Sequence, residues 1–194
     1  MRLHLAGPRS GLGRLADADP EGFGTPYWAY PWGGGLALAR YVLDHPETVA
    51  ERSVLDLGAG SGLAGIAAAK AGAREVLAAD IDPYAAVAAP LNAKANGVEI
   101  RFLVADLLDG EPPAGVEIVL AADLFYEEAL ARRTATFLER CLQAGIDVLI
   151  GDPWRAHLPR ERLRVLADYS TADVGRSGQA QASAVFALKA SPQS

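Results

Sequence analysis

A chain of 194 residues, 51% of them hydrophobic, can bury one substantial core and is expected to fold as a single domain over residues 1–194. Its formal charge of −6 argues against a phosphate-tracking surface, because nucleic-acid binding depends on Lys and Arg displacing counterions; a neutral or cationic substrate fits better. No run reaches the ~20 apolar residues of a membrane span and the N-terminus has no secretory pattern, so a soluble cytoplasmic protein is expected. A lone cysteine, Cys141, and the scattered His4, His45 and His157 point to no disulfide and no bound metal.

In chain order, the first ~20 residues read as loose. Within residues 1–32, Phe23, Tyr27, Trp28, Tyr30 and Trp32 gather five of the fourteen aromatic residues in a segment that Pro26 and Pro31 keep extended. This segment is expected to lie over the active site of a core spanning 33–190, onto which a helix from Leu36 to Leu43 leads. The stretch Val54-Leu55-Asp56-Leu57-Gly58-Ala59-Gly60-Ser61-Gly62-Leu63 then joins a strand (Ser53–Leu57) to a helix (Ala64–Ala71) through three alternate glycines, a ligand cradle at a helix N-terminus. Further strands are expected at Glu75–Ala79, Glu99–Val104, Ile118–Ala122 and Asp147–Ile150, with helices between them. Asp82 caps the helix opened by Pro83, while Asn92 and Asn96 take helix-surface and C-cap roles with Gly97. Last come strands near Thr171–Val174 and Ser183–Leu188, joined by a tight reversal at Gly175-Arg176-Ser177-Gly178. The alternation predicts an α/β fold: a doubly wound, mostly parallel seven-stranded sheet ending in a hairpin.

Gly60, Gly62 and Gly65 also satisfy the GxGxxG spacing of a dinucleotide turn, with Asp80 about 20 residues on. Asp56 separates the alternatives. A carboxylate at the strand tip repels a pyrophosphate, whereas S-adenosylmethionine carries a sulfonium and an ammonium and no phosphate. Ligands of open α/β sheets bind outside the C-terminal strand ends, and here Asp56, Asp80, Asp106 and Asp123 end four successive strands. In the methyl-donor reading Asp56 orders the loop of Gly58, Gly60 and Gly62 and reaches the methionine ammonium. Asp80 accepts from the ribose hydroxyls, Asp106 from the adenine amine, and Ile81 offers the adenine an apolar face.

With Ala79-Asp80-Ile81-Asp82-Pro83 and Ala105-Asp106-Leu107, the glycine stretch resembles the motifs of class I S-adenosylmethionine-dependent methyltransferases. Pro26-Tyr27-Trp28-Ala29, Trp32 with Gly34-Gly35, Asp123-Leu124-Phe125-Tyr126-Glu127 and Gly151-Asp152-Pro153 narrow the resemblance to the electron transfer flavoprotein beta-subunit lysine methyltransferases and their bacterial relatives. Trp154 departs from the small residue usual after that Gly-Asp-Pro. The resemblance implies an antiparallel last strand, S-adenosylmethionine as cofactor, and transfer to a protein lysine, with the flavoprotein beta subunit as partner. It implies a cofactor role for Trp32 and for Asp123, substrate contacts from Tyr27, Trp28 and Asp152, and Asp123 and Tyr126 beside the reacting amine.

Only a neutral amine can attack the methyl carbon, and neutralising a lysine of pKa ~10.4 at pH 7 costs roughly 4.6 kcal/mol. A carboxylate alone works against this, so Asp123 is expected to orient the amine and Tyr126 to align a proton, with the rate gain coming from proximity. A small-molecule, nicotinamide-like N-methyltransferase and a non-catalytic donor-binding module remain the alternatives.

Overall fold

Every residue of Ser53–Leu57 is buried, as an interior strand covered on both faces requires, and the rest of the sheet is arranged around it. The computed structural model describes residues 1–172 and 180–189. In order these form α1 (Leu12–Ala18), α2 (Gly33–Asp44), β1 (Ser53–Leu57), α3 (Leu63–Lys70), β2 (Glu75–Asp80) and α4 (Ala85–Ala95). β3 (Arg101–Val104), β4 (Ile118–Ala122), α5 (Glu128–Gln143), β5 (Asp147–Asp152), β6 (Leu163–Ala172) and β7 (Ala180–Leu188) follow. The strands form one sheet in the order β3-β2-β1-β4-β5-β7-β6. The first five are parallel, and the last, β7, runs antiparallel to both β5 and β6, as expected. Order reverses between β1 and β4, and the cradle opens at that switch.

Successive β1 side chains serve opposite cores. Val54 joins Leu38 and Val42 of α2 and Ala64 and Ala67 of α3; Leu55 joins Phe137 and Leu138 of α5. The α5 stripe Ala131, Thr134, Leu138 and Cys141 is buried at helical spacing, which accounts for the sole cysteine as a core residue.

Several expectations need correction. Residues 1–20 are tied down: Ala6 N–H donates to the Ala29 carbonyl (2.9 Å), and the Arg2 and His4 amides donate to Asn96 Oδ1 (2.9 Å) and Asn92 Oδ1 (2.7 Å). Asn92 is therefore no surface residue. It is fully buried, and its Nδ2 also donates to the Ser61 carbonyl (2.9 Å). Helices do not separate every strand pair: β3 to β4, and β5 to β6, are joined without an α-helix. β6 begins at Leu163, well before Thr171, and β5 extends through Asp152. The reversal expected at 175–178 lies outside the described residues. Among the described residues no helix is long and apolar enough to cross a membrane.

Candidate active site

The loop after β1 turns through Gly58, Gly60 and Gly62 at φ +64°, +50° and +78°, a region that residues with a Cβ occupy only under strain. Asp80, ending the neighbouring β2, holds this turn: its Oδ2 accepts from Gly60 N–H (2.8 Å) and its Oδ1 from Asp82 N–H (3.0 Å). Asp56 lies beneath, 2% exposed, with Oδ2 accepting from Gly65 N–H (2.7 Å) in the first turn of α3. Burial pushes the Asp56 carboxyl up to about 7, the Gly65 amide drawing it down and the Asp80 charge adding to the rise. Burial also raises Asp80, against the amides of Asp82, Gly60 and Ile81.

From this loop a cavity of about 650 Å³ extends over the strand ends, a size suited to a cofactor with room for an acceptor. On one side stand Ile81, 69% exposed, and Asp106. Asp106 Oδ1 accepts from Leu108 N–H (3.1 Å) and Oδ2 from Arg133 Nη2 (2.7 Å). The N-terminal segment forms the roof. Trp28 stacks on Tyr84 (centroids 6.0 Å apart), Phe23 meets Tyr84 edge-on, and the Tyr84 hydroxyl donates to Asp19 Oδ2 (2.9 Å).

Asp123 forms the opposite corner. It sits at φ +60°, a left-handed conformation that Asp tolerates better than most residues, with its N–H donating to the Gly151 carbonyl (2.9 Å). Its carboxylate gathers three donors: Gly34 N–H on Oδ1 (3.1 Å), Gly35 N–H on Oδ2 (2.6 Å) and Arg155 Nη1 on Oδ1 (2.5 Å). Burial pushes Asp123 up, while Arg155 and the two amides pull against that rise and favour the ionised form. The amides belong to the first turn of α2, whose positive pole also favours the charge. α2 comes this close because Gly34 and Gly151 meet backbone to backbone, a Cβ on either standing 2.2 Å from the other's carbonyl oxygen. Tyr126, 46% exposed, faces Tyr27 at 5.5 Å, and Trp32 Nε1 donates to the Tyr27 carbonyl (2.9 Å).

Of the residues proposed from sequence, Tyr27, Trp28, Trp32, Asp56, Gly58, Gly60, Asp80, Ile81, Asp106, Asp123 and Tyr126 all line this one cavity. Two do not. Gly62 turns the chain into α3 one layer behind, where an added Cβ would meet Ala89 of α4 at 2.9 Å. Asp152 has no exposed surface; it accepts from Arg155 N–H (2.7 Å) and Arg155 Nη1 (3.2 Å), so it holds Arg155 and cannot touch a substrate. Arg155 and Arg133, both lining the cavity, escaped sequence reading. Arg133 binds Asp106 and Asp109, and Arg155 binds Asp123, carboxylates 24 to 32 residues away in the chain. Trp154, at φ +63°, packs edge-on against Phe186 (4.8 Å). Among the described residues no group of three or more His, Cys, Asp or Glu could hold a metal.

Comparison with known proteins bears on this geometry. The model of the ribosomal protein L11 methyltransferase (PrmA) family matches residues 37–132. An electron transfer flavoprotein beta subunit lysine methyltransferase of Danio rerio is 45% identical over 156 residues, covering 78% of this chain and 60% of that protein. The Xenopus laevis protein of the same name is 41% identical over 180 residues, covering 89% of this chain and 72% of its own length. The chain belongs to this lysine methyltransferase family. It spans 60% of the Danio rerio protein and 62% of the Rattus norvegicus one. Among solved structures, a putative RNA methyltransferase from Pyrococcus horikoshii superposes with a TM-score of 0.63 at 18% identity, covering 93% of this chain and 98% of that one, a likeness of fold.

The family's cofactor, S-adenosylmethionine, suits the residues present. The rim of the glycine loop is acidic, and the two arginines of the cavity are each engaged by carboxylates, so a pyrophosphate would find no free cation there. The dinucleotide alternative fails on charge.

Proposed function

We propose that this chain methylates the ε-amine of a protein lysine, with the electron transfer flavoprotein beta subunit as its substrate. The observation that carries the reading is the meeting, in one cavity, of an acidic glycine cradle and the Asp123–Tyr126 corner; the names of the relatives point to the substrate. Bound in the cradle, S-adenosylmethionine supplies an electrophilic methyl group on its sulfonium. The chain's own residues do the rest. Asp80, which holds the Gly60 and Asp82 amides one on each oxygen, keeps lone pairs for the ribose hydroxyls. Ile81 faces the adenine, Asp106 accepts from its amine, and Asp56 attracts the ammonium. At the acceptor corner Asp123 has one lone-pair site left for an amine N–H. Burial first, then Tyr27, Glu127 and Asp80, push the Tyr126 hydroxyl up, so it stays protonated near neutrality and aligns the amine without acting as a base. Tyr27 and Trp28 close the cavity against water.

Two expectations concern the donor. Asp80→Ala removes two charge-assisted contacts to the ribose as well as the brace of the glycine turn, and is expected to weaken donor binding roughly a hundredfold, read by calorimetry. Donor affinity should also depend on pH through Asp56. A carboxyl of pKa about 7 in the empty protein must lose its proton to meet an ammonium, so affinity should fall up to about tenfold per unit below pH 7 and level off above it. Asp56→Asn should abolish that slope; a wild-type affinity flat from pH 5.5 to 7 would exclude the contact.

The function itself is tested by incubating the protein with radiolabelled donor and a cell lysate. A labelled protein band supports the proposal. Label confined to small molecules indicates a small-molecule N-methyltransferase, and calorimetric donor binding without transfer indicates a binding module.

A further inference from the structure

Arg155 borders two neighbouring cavities. It lines the donor cavity and, with Tyr126, also a neighbouring one of about 370 Å³ bounded by Phe125, Trp154 and His157. Its side chain is 20% exposed and its Nη1 is shared by Asp123 Oδ1 at 2.5 Å and Asp152 Oδ2 at 3.2 Å, while its backbone N–H is held by Asp152 Oδ1. Asp152 is wholly buried and faces no cavity, so its role is to place this one cation. A carboxylate beside an acceptor amine poses a chemical difficulty. It attracts the incoming ammonium but stabilises that charged form, which has no lone pair with which to attack.

We propose that Arg155 is a positioning residue that cancels the charge of Asp123, so that the acceptor amine is oriented there as a neutral nucleophile rather than trapped as an ammonium. The inference rests on the amine-methylation reading above. The Gly34 and Gly35 amides add their dipoles to the same side of the balance, and Asp123 keeps one lone pair to direct an amine N–H. The other titratable groups around this corner are Tyr126 and Glu127 after β4, Tyr27 from the roof, Asp80 across the cavity, Asp152 behind Arg155, and His157 at the rim of the second cavity. Of these, Arg155 is the cation in direct contact with Asp123.

The test is the pH profile of kcat at saturating donor and acceptor, measured with the purified electron transfer flavoprotein beta subunit, because kcat reports ionisations within the bound complex. Arg155→Gln should move the acid limb upward by about one pH unit, costing about tenfold in rate on that limb, while Arg155→Lys, which keeps the charge, should leave the limb in place. Should Arg155→Gln fail to fold because Asp152 is left unpaired, the double variant Arg155→Gln with Asp152→Asn removes that burden and still leaves Asp123 uncompensated, and its limb must move likewise. Lower rates with an unmoved limb in the charge-removing variant would reduce Arg155 to a structural brace and overturn the proposal. A wild-type protein that labels no lysine would overturn the amine-methylation reading, and the proposal with it.

Discussion

Gly34→Ala is expected to destabilise the protein by about 3 kcal/mol or more, a large share of the 5–15 kcal/mol that holds a typical domain together. Two effects oppose each other. Alanine is favoured over glycine inside a helix by 0.5 to about 1 kcal/mol. Against that, the new Cβ would stand 2.2 Å from the Gly151 carbonyl oxygen, a backbone atom fixed within the sheet, so α2 must lift off β5. Lifting α2 withdraws the Gly34 and Gly35 amides from Asp123, so transfer should fall together with stability. Gly35→Ala is the control. Its Cβ would meet Leu63 and Asp123 at 3.6 and 3.7 Å, ordinary contact distances, and should leave stability unchanged or raise it by a few tenths to about 1 kcal/mol. Chemical denaturation midpoints of the two variants decide the matter, and equal midpoints would contradict the described contact between α2 and β5.

Asp123→Asn is expected to lower kcat by about 10²- to 10³-fold while leaving the donor dissociation constant nearly unchanged. Asparagine accepts the same left-handed backbone and nearly the same volume, and it removes the charge together with one accepting oxygen, since its NH2 group cannot receive the Gly35 N–H. It leaves Arg155 paired only with Asp152, and the unfolding free energy should fall toward the lower end of the roughly 3–5 kcal/mol typical of a broken buried pair. Single-turnover rates alongside calorimetric donor titration separate the two effects. A large loss of donor affinity would shift Asp123 from the acceptor corner to the donor site.

Much of the site is legible in sequence because it sits where the fold is most constrained. β1 is buried on both faces and its Val54, Leu55 and Leu57 run straight into the glycines, so Asp56 stands out among them, and Asp80 and Asp123 fall at the ends of the neighbouring β2 and β4. β6 was less visible. Its N-terminal half carries Arg164 and a register irregularity between Val165 and Ala167 at the sheet edge, which breaks the alternation that marks a strand. Asn92 looks like any polar residue on a helix, because the backbone amide it serves, that of His4, lies 88 residues away. Separation in sequence hides Arg155 as well, whose partner Asp123 lies 32 residues earlier, just after another strand. Asp152 stands in a motif that suggests a substrate contact, yet its complete burial makes it a support for Arg155. Residues that touch ligands at strand ends could be found by pattern; those that hold them in place depend on tertiary pairing.

Incubating the purified protein with S-adenosylmethionine and the electron transfer flavoprotein beta subunit, and mapping the product by peptide mass spectrometry, shows whether this cavity brings a methyl donor to a lysine amine. Donor-dependent methyl groups are expected on lysine nitrogen, absent with Asp123→Asn at matched time. Methylation of arginine or glutamine, or an unmodified beta subunit despite tight donor binding, would contradict it.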